Sequence, residues 1–111
     1  MKVEELGQKL SLEVRTAAGK LNTEVTGGYA SDLLSWVMAK AQAGNVWITI
    51  QAHPNIVAVA SLIGLSGIII AEGVVPEPAT CEKAEQEGIP ILTTPLAVYA
   101  VAGKMFELGV R

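Results

Sequence analysis

His53 is the one histidine of this 111-residue chain, and it sits in a short polar break, Gln51-Ala52-His53-Pro54-Asn55, between apolar segments. An imidazole can act near neutral pH as a general acid, a general base or a ligand. Its loop holds no carboxylate and no second histidine, so the competing reading is a hydrogen-bonded structural residue. Gly27-Gly28 could let a backbone approach a phosphate, or could simply make a tight strand-to-helix turn. Ser31 offers a hydroxyl to a ligand or caps a helix, and Asp32 suits the positive end of a helix dipole but would repel a bare phosphate. Glu72-Gly73 and Thr93-Thr94 are the remaining polar turns of unusual composition. Asp32 and Glu72 have the chemistry of a metal pair, but no spacing joins them, and no Cys/His cluster suggests zinc. No metal and no cofactor is expected.

Other chemistries fail on sequence grounds. ATP-dependent phosphoryl transfer of the phosphate-loop type needs G-x-x-x-x-G-K-[ST]. Gly19-Lys20 is followed by Leu21 with Val14 at the first glycine position, and Gly103-Lys104 by Met105 with Val98 there. With one histidine and no nucleophile elbow, Ser/His/Asp catalysis has no basis. Cys81 has Ala84 one turn on and is expected to be half-buried and inert. No catalytic residue is assigned.

The elements that must position these residues follow from apolar patterning. Val46 to Ala71 holds no Lys, Arg, Asp or Glu, yet polar and glycine breaks cut it far short of the roughly 20 continuous apolar residues of a membrane span. It reads instead as strand Val46–Ile50, helix Asn55–Leu65 and strand Ile68–Ile70, with both strands covered on both faces. Upstream, Lys2–Lys9 reads as a short amphipathic helix presenting Val3, Leu6 and Leu10 on one side. Leu10–Arg15 alternates as a half-exposed strand near a sheet edge, Thr16–Asn22 connects, and Thr23–Thr26 suggests a second strand ending at Gly27. Gly27 to Asp32 opens a helix to about Ala43, with Leu33, Leu34, Val37, Met38 and Ala41 buried and Gly44 as its stop. Downstream come a helix Ala79–Glu87 closed by Gly88, a strand Ile89–Leu92, and a helix from Thr94-Pro95 through Leu108 ended by Gly109. Strands alternating with helices imply a single compact α/β domain over 1–111, mainly parallel, with helices on both faces and right-handed crossovers.

Apolar residues make up 50% of the chain and mean hydropathy is +0.42, high for a small monomer. Ile56–Ile63 and Leu96–Ala102 are apolar all round, so a self-association surface around Val57, Val59, Val98 and Val101 is expected. A net charge of −3 without a basic cluster argues against a nucleic-acid partner. One cysteine and an N-terminus without an apolar signal core fit a cytoplasmic protein.

The run Glu24-Val-Thr-Gly-Gly-Tyr-Ala-Ser-Asp through Ala43 resembles the signature of the DRTGG domain family. Trp47–His53, Gly67–Gly73 and Gly88–Thr94 are similar to that family too, so the resemblance covers nearly the whole chain. Such domains occur attached to regulated pyrophosphatases and phosphate acetyltransferases, or as free-standing small proteins. They are similar in fold to the N-terminal domain of HPr kinase/phosphorylase. The resemblance implies an α/β accessory domain that tends to dimerise, without chemistry of its own. Glu24 and Val25 replace the Asp and Arg of the name-giving motif, so no role of that arginine carries over.

In open α/β sheets ligands sit beyond the carboxyl ends of strands. That rule collects Gly27, Gly28, Ser31, Asp32, Gln51, His53, Asn55, Glu72, Gly73, Thr93 and Thr94 at one edge. The resulting expectation is a non-enzymatic regulatory or interaction domain acting as a homodimer, with a possible partner enzyme. The alternative is a sensor of a nucleotide or phosphorylated metabolite at that edge. Incubation with labelled ATP, Mg²⁺ and HPr is expected to transfer no phosphate; stoichiometric transfer by protein freed of contaminating kinases would refute this.

Overall fold

A strand that is apolar at successive positions has no face to offer water. In the computed structural model, which describes residues 1–111, the chain forms α1 (Val3–Lys9), β1 (Glu13–Val14), a 3₁₀ turn (Ala18–Lys20), β2 (Gly27–Ala30), α2 (Leu34–Lys40) and β3 (Asn45–Thr49). It continues with α3 (Asn55–Ile63), β4 (Gly67–Ile70), α4 (Pro78–Glu87), β5 (Ile91–Thr93) and α5 (Val98–Glu107). One five-stranded sheet has the order β1-β5-β4-β3-β2, with β2 to β5 parallel and β1 antiparallel against β5. The apolar strands β3 and β4 lie inside it.

Alternation along the strands divides the core in two. Trp47, Ile68, Ile70 and Ile91 meet Val37 of α2, Ile56, Val57 and Ala60 of α3, and Ala84 of α4. Val46, Ile48 and Ile69 point the other way, against Leu6 of α1 and Val101 and Met105 of α5. Burying each such Ile or Val contributes about 1.5–3 kcal/mol. The helices that link β2 to β3, β3 to β4 and β4 to β5 all cover the first face, as steps across a sheet with a single crossover handedness require. Helices α1 and α5 lie outside those units and seal the second face. This is the expected α/β domain with helices on both faces.

Several elements differ from expectation. The second strand starts at Gly27, where the sequence suggested it should end. Helix α2 starts at Leu34 and stops at Lys40, so only Val37 of its expected stripe is fully buried, while Leu33 and Met38 are exposed together with Trp36. The last helix starts at Val98. The apolar helices also find cover inside the domain: Val57, Val59 and Val101 are buried. Helix α3 packs between the sheet, α2 and α4, so the face expected to mediate self-association there is core.

Gly44 does not end α2 but turns the chain into β3 at φ +83°, and an alanine Cβ there would lie 2.5 Å from Thr26 Cγ2. Gly44→Ala is expected to cost about 1–3 kcal/mol in left-handed strain, with the clash adding to it. A urea titration reads the loss as a lowered midpoint; an unchanged midpoint would contradict this account of the turn.

Candidate functional site

Neighbouring strands whose connections leave toward opposite faces open a crevice at their carboxyl ends. Here β4 and β5 are such a pair: the chain leaves β4 for α4 on one face and β5 for α5 on the other. A pocket of about 230 Å³ lies at that point, lined by Ser11, Glu13, Arg15, Gly73, Val74, Thr93, Thr94 and Pro95. Three of the expected site residues, Gly73, Thr93 and Thr94, thus share one cavity.

Arg15 also lines this pocket, and sequence reasoning did not single it out. Its Nε donates to Thr93 Oγ1 at 2.9 Å, and its Nη2 lies 3.3 Å from Glu13 Oε2. Pairing of β1 with β5 puts Glu13 opposite Thr93, and Arg15, two residues on, falls on the same face. The buried Thr16 hydroxyl then locks this segment to β5, donating to Ile89 O at 2.7 Å and accepting from Ile91 N at 2.9 Å. A clamp next to the guanidinium limits its freedom. Thr93 Oγ1 accepts from Arg15 and Thr94 Oγ1 from Leu96 N, so both hydroxyl protons remain available to a ligand. Guanidinium and hydroxyls together make a donor-rich lining that suits an anion.

Gly73 contributes space rather than an amide, since its N–H already donates to Thr94 O at 3.0 Å. Glu72 stands beside it with φ +62°, its N–H bonded to Leu96 O and its carboxylate accepting from Val98 N at 3.0 Å, which caps α5. Its role in this structure is to hold that helix start.

The remaining expected residues fall elsewhere. Gly27 and Gly28 pair with Asn45 and Val46 at the amino end of the sheet, so they are not in a strand-to-helix loop and do not join the carboxyl edge. Added Cβ atoms there would lie 3.1 Å from Asn45 Nδ2 and 3.2 Å from Met105 Cε, tight contacts to which those side chains would have to yield. Ser31 and Asp32 do lie at the carboxyl end of β2. Ser31 Oγ accepts from Leu33 N at 3.2 Å in a local turn, and its carbonyl accepts from Trp47 Nε1. Asp32 Oδ1 accepts from Thr49 Oγ1 and Ile50 N, and Gln51 Nε2 donates to the Asp32 carbonyl. This stitches the loop after β2 to the end of β3. His53 Nδ1 accepts from Asn55 N at 3.1 Å, covering a free amide where α3 begins. The ring is exposed, with no carboxylate bonded to it. These groups share the sheet edge with Arg15 but do not line its pocket.

No group of three or more His, Cys, Asp or Glu side chains is placed to hold a metal ion. Gly19-Lys20 lies in the 3₁₀ turn and Gly103-Lys104 inside α5, so neither forms a strand-to-helix phosphate loop. Cys81 is half-buried on α4. No helix is long and apolar enough to cross a membrane.

No family model and no curated protein matches the sequence. Among solved structures, the chain is similar to the CBS and DRTGG domains of the regulatory region of a Clostridium perfringens pyrophosphatase, solved with its activator diadenosine tetraphosphate. The TM-score is 0.74 at 16% identity, covering 91% of this chain and 44% of that one. The chain therefore spans less than half of that solved protein. At this identity the likeness establishes the fold, which is DRTGG-like as the sequence resemblance implied.

His53→Ala is expected to lower stability by about 0.5–1.5 kcal/mol, the net value of one ordinary hydrogen bond. Thermal melts measure it, and an unaltered melting temperature would mean that the bond to Asn55 contributes nothing.

Proposed function

We propose that this domain is a non-enzymatic regulatory module that works as a homodimer and senses a small anionic molecule, a nucleotide or phosphorylated metabolite. The observation that carries the reading is the guanidinium of Arg15, flanked by the Thr93 and Thr94 hydroxyls, at the crevice between the ends of β4 and β5. A pocket of about 230 Å³ accommodates a phosphate or sugar-phosphate end. The rest of a nucleotide would extend over the rim, toward the loops that carry Asp32, Gln51, His53 and Asn55. Glu13, 3.3 Å from the guanidinium and largely exposed, shares the rim of the pocket. The pyrophosphatase region of similar fold was solved with a nucleotide activator and belongs to an enzyme, which supports both a nucleotide ligand and a partner enzyme here.

The homodimer half of the reading rests on large apolar side chains left in solvent. Tyr99 and Phe106 on α5 are 91% and 55% exposed, and Leu33 and Trp36 by α2 are exposed as well. A partner subunit would cover such groups.

Calorimetry with AMP, ATP, diadenosine tetraphosphate, ribose 5-phosphate and inorganic phosphate tests the sensor. At least one is expected to bind, and Arg15→Ala should weaken it by about 1.5–3 kcal/mol, as for a charge-assisted hydrogen bond. Binding unchanged in Arg15→Ala, or no binding at millimolar ligand, would reject the Arg15 site. Loss in His53→Ala alone would shift the site to the loop after β3.

A further inference from the structure

We propose that Glu72-Gly73 is a clip that couples the Arg15 pocket to the start of α5, so that an anion bound in the pocket tightens the first turn of that helix. The inference rests on the sensor reading above and adds how a bound ligand reaches the rest of the domain.

The chain from Thr94 to Val98 carries the crossing from β5 to α5. Apart from the bond of Thr94 N to Ile70 O, this clip is what ties its backbone to another element. Gly73 N donates to Thr94 O at 3.0 Å, Glu72 N to Leu96 O at 2.8 Å, and Val98 N to Glu72 Oε2 at 3.0 Å. Two residues hold the whole crossing.

Glu72 does this in an unfavourable shape. Its φ is +62°, and Gly73 follows at +73°. Glycine adopts such a backbone without steric cost, whereas a residue with a β-carbon is uncommon there. It stays only while its surroundings over-determine it. What glutamate supplies that glycine would not is the carboxylate on Val98 N. Ala97, which precedes the helix, offers no side-chain acceptor, so α5 takes its cap from 26 residues away. A negative charge is also favourable at that end of the helix dipole.

The three bonds therefore form and break together. When Val98 releases the carboxylate, Glu72 is free to return to an ordinary φ. That rotation carries its own amide and that of Gly73 away from Leu96 O and Thr94 O. Gly73, Thr94 and Pro95 all line the pocket, so the released clip no longer keeps the pocket's shape. An anion on Arg15 and the Thr93 and Thr94 hydroxyls thus binds the closed clip in preference to the open one. Such differential affinity is what shifts a two-state element. Glu72 is not itself a lining residue, so it acts as a positioning residue.

Amide hydrogen exchange with AMP, ATP and inorganic phosphate as probes tests this, beside calorimetry and melts on wild type, Arg15→Ala, Glu72→Ala and Glu72→Gln. At ten times its Kd, a probe that binds the closed form alone is expected to slow exchange at Glu72, Gly73 and Val98 by about tenfold. The Asn55 amide, held by His53 at another loop, should keep its rate. Glu72→Ala should weaken the probe by about three- to tenfold, since less of the free protein is closed. Glu72→Gln, whose amide oxygen still accepts from Val98 N, should bind within about twofold of wild type. A cap that served the fold alone would lower the melting point of Glu72→Ala and leave affinity unaltered. A probe held by Arg15 that leaves Val98 exchange unchanged, or binds Glu72→Ala as tightly as wild type, overturns the coupling and leaves the sensor reading intact. If no probe binds through Arg15, both fall.

Discussion

The burial of β3 and β4 on both faces is the constraint from which the rest of the structure follows. Val46, Trp47 and Ile48 are all buried, as are Ile68, Ile69 and Ile70, although successive side chains point in opposite directions. Two layers of helix are therefore obligatory. The three helices that connect parallel strands cover one face, because stepping one way across a sheet with one crossover hand leaves them no other. The second face needs helices from outside those units, and only the two ends of the chain can supply them. Helix α5 reaches its place only if the chain crosses over after β5. That crossing separates the exits of β4 and β5 and creates the crevice where Arg15, Thr93 and Thr94 meet.

This explains which parts of the fold were legible in the sequence. Strands β3 and β4 and helices α3 and α4 emerge within two residues of expectation, because apolar runs and Gly or Pro punctuation act locally. Gly88, for example, ends α4 at φ +70°, donating to Ala84 O and Glu85 O. Strand β2 was misplaced because Gly27-Gly28 reads locally as a turn. The groups it packs against lie across the fold, at Asn45 and Met105. Helix α2 is shortened by a similar override: Asp32 binds Thr49 and Ile50 in the loop after β3 rather than opening a helix. The self-association argument failed at Val57 and Val59 because the sheet and two neighbouring helices cover that side of α3, while its outer side leaves Leu62 in solvent. Exposed Tyr99 was obscured by the Leu96–Ala102 pattern, which reads as apolar all round although its sides meet different surroundings.

The candidate site was half legible for the same reason. The rule about carboxyl ends selected Gly73, Thr93 and Thr94, which share the pocket, and also Asp32, Gln51, His53 and Asn55, which share only the edge. What distinguishes the two groups is the face each connection takes, and no local pattern records that. Arg15 escaped notice because its partner, Thr93, stands 78 residues away. An arginine at the end of an alternating edge strand looks like any solvated charge until the strand opposite is known.

The site and the outer helix are joined by one residue. Glu72 precedes Gly73 of the pocket, while its carboxylate holds the first amide of α5, and its own amide is bonded to Leu96 O in the segment leading there. The backbone of Glu72 is in the left-handed region, a conformation that persists only while its partners hold it. A ligand that prefers this loop geometry therefore also stabilises the start of α5. The loop that lines the pocket and the start of the outer helix are thus held by the same residue, Glu72, through its carboxylate and its own amide.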